Sequence, residues 1–432
     1  MGNVYPQIDS VITKRKHMAK KSKTISKKSL GRRWGGTLDQ NLAANQRFSA
    51  DTDSGKVNLG VGTNVGSDGK PWNQATAFPS SLSQVVSDVG EACGSYNPAK
   101  DVQQAAAEFV LGQQLKLPSN VWNRCVTSFT AGGGSGAVGR AIDFVTAQHA
   151  EIRHLNLQRF SWVGYDSIAY NRGLGTRPIP IDLSRLPRTG LGVLQTVHNG
   201  SGLLVPTKHW SWASKVLAKR DQPVVLDIPY AGFDHAELPY DEAMNRSAEP
   251  LLTLVDAGAP VVVGFGPTKV FNTFKYRPGG ATVVICRTEK EARHAQNRMN
   301  SNARGGTGFI DVATYALMKA MAENPQGLSA DHSGILQRLH QAEQDWAKYA
   351  AGTPLAGFFG SGYGGLFRIL PVQPGTVEAL AEQHIHVVHV DKRLIRINIM
   401  GLPHGDQTEG LVQALSNRCT EALPKALRPF AA

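Results

Sequence analysis

Between Ala259 and Ile285 the chain reads APVVVGFGPTKVFNTFKYRPGGATVVI, two apolar runs around a turn rich in Gly and polar groups. Runs of this kind are signatures of buried strands. The turn holds Lys269, several aromatics, Arg277, Gly279 and Gly280. Open α/β sheets place their ligands at the carboxyl ends of strands, which is where a lysine in such a turn would sit. Desolvation lowers an amine's pKa, and the neutral amine forms an imine with a carbonyl. Arg277, close by, offers a bidentate fork suited to a phosphate. A lysine that forms an imine beside a phosphate anchor points to pyridoxal phosphate. Read from this stretch alone, Lys269 is equally well an ordinary loop lysine.

At 432 residues the chain is long enough for two domains and a large core. It is 41% hydrophobic and 19% charged, with 45 glycines, the composition of an ordinary soluble enzyme with many backbone-shaped turns. No apolar run approaches the roughly 18 residues that span a bilayer. The basic opening segment has no apolar secretory core behind it. Cys93, Cys125, Cys286 and Cys419 are scattered without ligand spacing. Free thiols in a reducing cytoplasm are expected, and no metal site.

The formal charge of +12 is unevenly distributed. Residues 1–34 hold ten Lys or Arg against the single acid Asp9, so the rest of the chain carries only +3. The basicity belongs to a tail, read here as a solvated, disordered extension over residues 1–36. This removes the main argument for a nucleic-acid partner.

Lys56 to Trp72, KVNLGVGTNVGSDGKPW, reads as a short alternating strand followed by a tight turn at SDGK. Ser81 to Ala92 has helical spacing, and a helix follows the Asn97-Pro98 turn. Asn123 to Ala147 reads as strand, glycine loop and helix, and Gly134 to Gly139 matches GxGxxG. The dinucleotide version of that motif needs an acid about 20 residues on, where this chain has LNLQRF. What survives is a helix start that backbone small residues open to a phosphate, with Ser135 adding a hydroxyl. Trp162 follows a strand end and serves either a ligand or the core. Asn199 ends another strand, as a ligand contact or a turn cap. PVVLDI places Asp227 at a strand's carboxyl end, with Tyr230 three residues on. A buried acid requires a partner, either a protein network or a protonated pyridine nitrogen. Beyond the lysine stretch come the polar segment EKEARHAQNRMNSNARGGTG, a long helical region to Ala351, β-rich runs, and a helix around Thr408 to Leu423. Strands alternating with helices, then an α+β tail, indicate an α/β domain plus a smaller one.

The order glycine loop, Trp162, Asn199, Asp227, Tyr230, Lys269, Arg277, Arg396 resembles the aspartate/aromatic aminotransferases, class I aminotransferases of PLP fold type I. VNLGVGTNVGSDGKPW resembles the family's substrate strand, and SYNPAKDVQQAAAEFVLG its interface segment. DIPYAGF resembles D-x-x-Y-x-G-F, and RINIMGL resembles R-x-N-x-x-G. The likeness runs from about Lys56 to the C-terminus. It implies an aspartate aminotransferase-like α/β fold: a large domain with a mostly parallel seven-stranded sheet flanked by helices, plus a smaller α+β domain. The implied bounds are 37–75 and 316–432 for the smaller domain and 76–315 for the larger.

The resemblance also implies roles. Lys269 holds pyridoxal 5'-phosphate covalently and moves protons, and Asp227 keeps the pyridine nitrogen protonated. Tyr230 and Asn199 bond the ring's phenolic oxygen, and Trp162 stacks on the ring. Arg277, Ser135 and the amides of Gly134 to Gly136 bind the phosphate, joined by Tyr96 from a neighbouring subunit in a homodimer. Arg396 clamps the substrate α-carboxylate, and Val61, Gly62, Asn199 and Phe367 line the substrate pocket. The implied substrates are an L-amino acid and a 2-oxo acid, in the cytoplasm, with no metal and no membrane.

Several positions depart from the family pattern. Gly266 replaces a serine, Tyr165 replaces a histidine behind the aspartate, and Asn199-Gly200-Ser201-Gly202 lacks the usual proline. The distal arginine has only loosely aligned candidates, Arg298 and Arg304. These departures keep a second expectation open, elimination or replacement at the β or γ carbon instead of transamination.

Overall fold

In the computed structural model the described residues are 40–65, 72, 74–88, 100–304, 310–402 and 406–420. Tyr96, the SDGK turn and the basic tail lie outside them.

Seven strands form the main sheet: β2 (Cys125–Thr130), β3 (His154–Gln158), β4 (Gly175–Ile179), β5 (Leu191–Gln195), β6 (Val224–Ile228), β7 (Val261–Phe265) and β8 (Gly280–Ile285). A two-residue strand, β1 (Val57–Asn58), precedes them. The spatial order is β2-β8-β7-β6-β5-β3-β4. All neighbours pair in parallel except β8, which runs against both β7 and β2. Every residue of β5, β6, β7 and β8 is buried, which is why these stretches read as continuous apolar runs. The edge strand β4 carries Pro178 and is mostly exposed, a composition that discourages pairing with another chain.

The two faces of the sheet are separated by the period of two along each strand. Val224, Leu226 and Ile228 enter one core with the helices Ala77–Ser87, Lys100–Phe109, Thr207–Arg220, Tyr240–Asp256 and Val312–Glu323. Val225 enters the opposite core with the helices Gly133–Gln148 and Gly164–Asn171.

A third core lies around the antiparallel sheet β11-β12-β9, formed by β9 (Phe367–Pro371), β11 (Val388–Asp391) and β12 (Leu394–Asn398). Beside it β1 pairs in parallel with β10 (Ile385–His386). The helix Pro325–Ala350 joins two cores, with Leu328 in the first and Ile335, Leu339 and Trp346 in the third. The helix α1 (Gln40–Ala50) packs against β10 and β11.

Three local expectations change. The polar segment after β8 is a helix, Glu289–Arg304, because Ala292, Ala295 and Met299 recur at helical spacing and bury one face. The alternating strand at VNLGV shrinks to Val57–Asn58: Leu59 still bonds backbone to backbone with His386 and Asn398, but beyond it a side chain takes over. Asn398 Nδ2 donates to the carbonyls of Val61 and Thr63 at 2.7 and 2.8 Å. The last helix is Asp406–Ser416, with Leu423 outside the described residues. Among the described residues no helix is long and apolar enough to cross a membrane.

Candidate active site

Register brings the chemistry to one sheet end. Gln195, Asp227 and Gly264 are cross-strand neighbours near the carboxyl ends of β5, β6 and β7. Thr130 at the end of β2 faces Gly280 at the start of the reversed β8. The turns after β2 and β7 therefore open beside Asp227, the position at which open α/β sheets hold ligands.

Asp227 is 5% exposed. The Tyr165 hydroxyl donates to its Oδ2, and Gln195 Nε2 donates to the same oxygen at 3.4 Å. Both bonds fall on Oδ2, so Oδ1 is left for a donor that the described residues do not supply. Burial pushes the carboxyl up to about 6, opposed by Tyr165, the Lys269 charge and Gln195. The group is still an anion at neutral pH. The Tyr165 phenol is itself pushed well above its ordinary value by burial and by the Asp227 charge, so it remains a neutral donor.

Lys269 lies on the single helical turn Pro267–Val270, started by a proline in the first turn, where a missing N–H costs nothing. Its Nζ sits 4.9 Å from the centroid of the Tyr230 ring. Burial lowers the amine to about 8, opposed by Asp227 and assisted by the Arg396 and Arg277 charges. About a tenth of the amine is then neutral at pH 7, the form that attacks a carbonyl. Asn199 Nδ2 donates to the buried Tyr230 hydroxyl at 2.6 Å, while Asn199 Oδ1 is buried without a partner. A ring hydroxyl donating to Asn199 Oδ1 would satisfy this orphaned acceptor.

Gly132 and Gly133, with φ of +88° and +64°, turn the chain from β2 into the helix Gly133–Gln148. The Gly136 N–H is used inside the helix, donating to Gly132 O at 3.2 Å. A Cβ on Gly136 would lie 2.0 Å from Ala131 O, so this glycine serves packing, and the Gly134 and Ser135 amides are the ones open to an anion. Gly266 is not simply a lost hydroxyl. A Cβ there would stand 3.1 Å from Gly134 Cα, so the glycine admits the neighbouring loop. The missing donor has a nearby replacement in Thr268, whose Oγ1 is 2.9 Å from where a Gly133 Cβ would be. Arg277 is exposed at the same turn with φ of +44°.

Arg396 projects from β12 with its guanidinium 4.1 Å from the Phe367 ring centroid. The Phe367 ring in turn fills the space at Gly62, where a Cβ would come within 2.7 Å of it. The same Cβ would be 3.7 Å from Lys269 Cε, which links the arginine side of the site to the lysine side. Val61, adjacent, is held by Asn398. Trp162 is half-buried and meets Tyr165 edge-on at 5.2 Å between centroids, one residue removed from Asp227.

The structure thus brings together Gly134, Ser135, Trp162, Asn199, Asp227, Tyr230, Lys269, Arg277, Arg396, Val61, Gly62 and Phe367 around one sheet end. It does not bring Arg298 to them: that residue is exposed on the helix Glu289–Arg304 and makes no described contact with the cluster. Tyr96 and the Arg304 side chain lie outside the described residues. Sequence reasoning missed Gln195, Thr268 and Asn41, which accepts a hydrogen bond from Arg396 Nη2. Gln195 was detectable, being a polar residue ending the apolar run LGVLQ as Asp227 ends VVLDI. Among the described residues no group of His, Cys, Asp or Glu could hold a metal ion.

The donor set fits pyridoxal phosphate: an amine that is neutral in part, an anionic carboxylate with one open oxygen, an orphaned amide, and a glycine-formed helix start for a phosphate.

No family model matches the chain. It is 22% identical to the mitochondrial aspartate aminotransferase of Gallus gallus over 327 residues, 72% of this chain and 71% of that one. It is also 22% identical to the aromatic-amino-acid aminotransferase of Paracoccus denitrificans over 395 residues, covering 84% and 93%. Among solved structures, an aromatic-amino-acid aminotransferase from Burkholderia pseudomallei, covalently bound to pyridoxal phosphate, superposes with a TM-score of 0.74. It is 20% identical, covering 88% of this chain and 97% of that one. The cytoplasmic aspartate aminotransferase of Giardia lamblia superposes with a TM-score of 0.74 at 17% identity, covering 90% and 98%. Homologues and structural neighbours alike are aspartate and aromatic aminotransferases, and the fold is aspartate aminotransferase-like.

Proposed function

We propose that this chain is a pyridoxal 5'-phosphate-dependent aminotransferase of the aspartate/aromatic type, passing an amino group from an L-amino acid to a 2-oxo acid. The observation that carries this is the pairing of Lys269, lowered to about 8, with buried Asp227, whose Oδ1 is open. When bound, the cofactor supplies a protonated ring that withdraws electrons from the substrate's α-carbon.

Lys269 Nζ would hold the cofactor covalently and would move the proton at the substrate's α-carbon. Asp227 Oδ1 holds the proton on the pyridine nitrogen, and Tyr165 keeps that carboxylate ionised and oriented. Asn199 and Tyr230 bind the ring's phenolic oxygen, and Trp162 covers the ring. The Gly134 and Ser135 amides, the Ser135 and Thr268 hydroxyls and Arg277 hold the phosphate. Arg396 grips the α-carboxylate across its planar fork, a task a lysine performs poorly. Val61, Gly62 and Phe367 exclude water from the reacting carbon. Tyr96, expected to reach the phosphate from the second subunit of a homodimer, lies outside the described residues. The division into a larger domain at 76–315 and a smaller one at 37–75 and 316–432 belongs to the same reading, as does a cytoplasmic location.

One observation favours a second reading. A phenol behind Asp227 changes how firmly the ring nitrogen is protonated, which bears on elimination or replacement reactions. The two readings separate in one experiment. The cofactor-loaded protein is titrated with single amino acids, then with a 2-oxo acid, while its visible absorbance and free ammonia are followed. Loss of the visible band with an amino acid alone, and its return with a 2-oxo acid alone, is the result expected of a transaminase. Ammonia released with the band retained contradicts transamination and supports elimination.

A further inference from the structure

The helix α1 reaches the substrate side of this site through the polar side chain of Asn41. Asn41, in its first turn, accepts a hydrogen bond through Oδ1 from Arg396 Nη2. Gly60 O also accepts from that nitrogen, at 3.4 Å. Nη2 is common to both edges across which a guanidinium grips a carboxylate, so whatever holds Nη2 sets the plane of the fork.

The contact is mounted on a fixed helix. Asn41, Ala44, Phe48 and Asp51 recur at intervals of three and four and so share one face. Ala44 is fully buried, and a Cβ on Gly60 would lie 3.2 Å from the Ala44 methyl, so two small residues let α1 approach the 58–61 segment closely. At its other end Arg47 Nη2 donates to Val387 O at 3.2 Å. Asp51 Oδ2 lies 2.7 Å from His386 Nε2, and Phe48 meets the His386 ring edge-on. These anchors tie α1 to the segment that precedes Arg396 in the small sheet. The Asn41 amide therefore occupies a defined place beside the fork.

We infer that Asn41 is a positioning residue of the substrate-carboxylate site: it fixes the Arg396 guanidinium so that its fork meets a carboxylate, and thereby sets the preference for acids over their neutral analogues. The incoming carboxylate displaces Gly60 O from Nη2, while Asn41 keeps its own bond to that nitrogen. The inference rests on the reading of Arg396 given under Proposed function.

The test is calorimetric binding of 3-phenylpropionic acid and of 3-phenylpropanamide to the cofactor-loaded protein, for wild type, Asn41→Ala, Asn41→Asp and Arg396→Ala. Asn41→Ala should weaken the acid about tenfold and leave the amide within about twofold, with an unchanged melting temperature. Asn41→Asp should weaken the acid by about a hundredfold or more, because its carboxylate occupies the fork. In steady state, Asn41→Ala should raise KM for the amino acid and the oxo acid alike while kcat stays nearly constant. An acid affinity that is unchanged or tighter in Asn41→Ala, or acid and amide weakened equally, overturns the inference. A wild type whose acid affinity is untouched by Arg396→Ala overturns the Arg396 assignment as well, so the two failures are distinguishable.

Discussion

Tyr165, rising from the helix Gly164–Asn171, and Asp227, near the end of β6, are joined inside the protein by a hydrogen bond from the phenol to Oδ2. Neither side chain reaches solvent appreciably, being 0% and 5% exposed. Without that donor, burial would push the carboxyl still further above about 6, toward a neutral acid that cannot hold a proton on a bound ring. The phenol thus keeps a buried acid charged without bringing in a second charge.

Replacing Tyr165 by Phe removes the donor and should raise the Asp227 pKa. The acid limb of the kcat/KM profile should then move up by about one pH unit, while Tyr165→His, which keeps a donor, should move it less. Initial rates across the pH range check this, and an unmoved limb would separate Tyr165 from the ionisation of Asp227.

Burial of Asp227 also predicts a pH-dependent stability. Its folded pKa, about 6, lies above the ordinary 3.8. Below 3.8 both states are protonated and the group costs nothing. Between 3.8 and about 6 the native state alone keeps the proton, so stability falls as pH rises, and the full cost, roughly 3 kcal/mol, persists above that window. Asp227→Asn should therefore raise the melting temperature of the cofactor-free protein near neutral pH, have little effect near about pH 4, and lower turnover at least about a hundredfold.

Lys269 has the opposite titration. Its amine, lowered to about 8, is increasingly neutral as pH rises through that value. The rate at which visible absorbance develops on mixing pyridoxal phosphate with the cofactor-free protein should climb through about pH 8 and then level. A flat profile would mean that the reacting amine is not this one.

At the phosphate side, Gly266→Ser restores a hydroxyl but presses a Cβ to 3.1 Å from Gly134 Cα. The steric effect should win, weakening cofactor retention about tenfold. Thr268→Ala should weaken it by a similar factor through loss of a donor. Equilibrium dialysis against the free cofactor measures both.

The main sheet was legible because VVLDI and VVVGF are buried on both faces and so carry their signal in composition alone. Asp227 stood out because a charge within such a run must be compensated, whereas Lys269 read equally well as a loop lysine until the resemblance implied a role for it. The helix Glu289–Arg304 was not, since three modest apolar positions among charges are meaningful only against the sheet that buries them. Gly266 read only as the replacement of a serine, and its tight approach to a backbone 132 residues earlier, at Gly134, is visible only in the fold. Asn41 had no sequence signal at all, because its importance comes from the close approach of Ala44 and Gly60.

The most direct test of the central claim is borohydride reduction of the protein with bound pyridoxal phosphate, followed by peptide mapping. The cofactor's mass should be fixed on Lys269 in wild type and absent from the same peptide in Lys269→Ala, which should also lack the visible band. A stable adduct on another lysine, or wild-type protein that takes up no cofactor, would contradict the assignment.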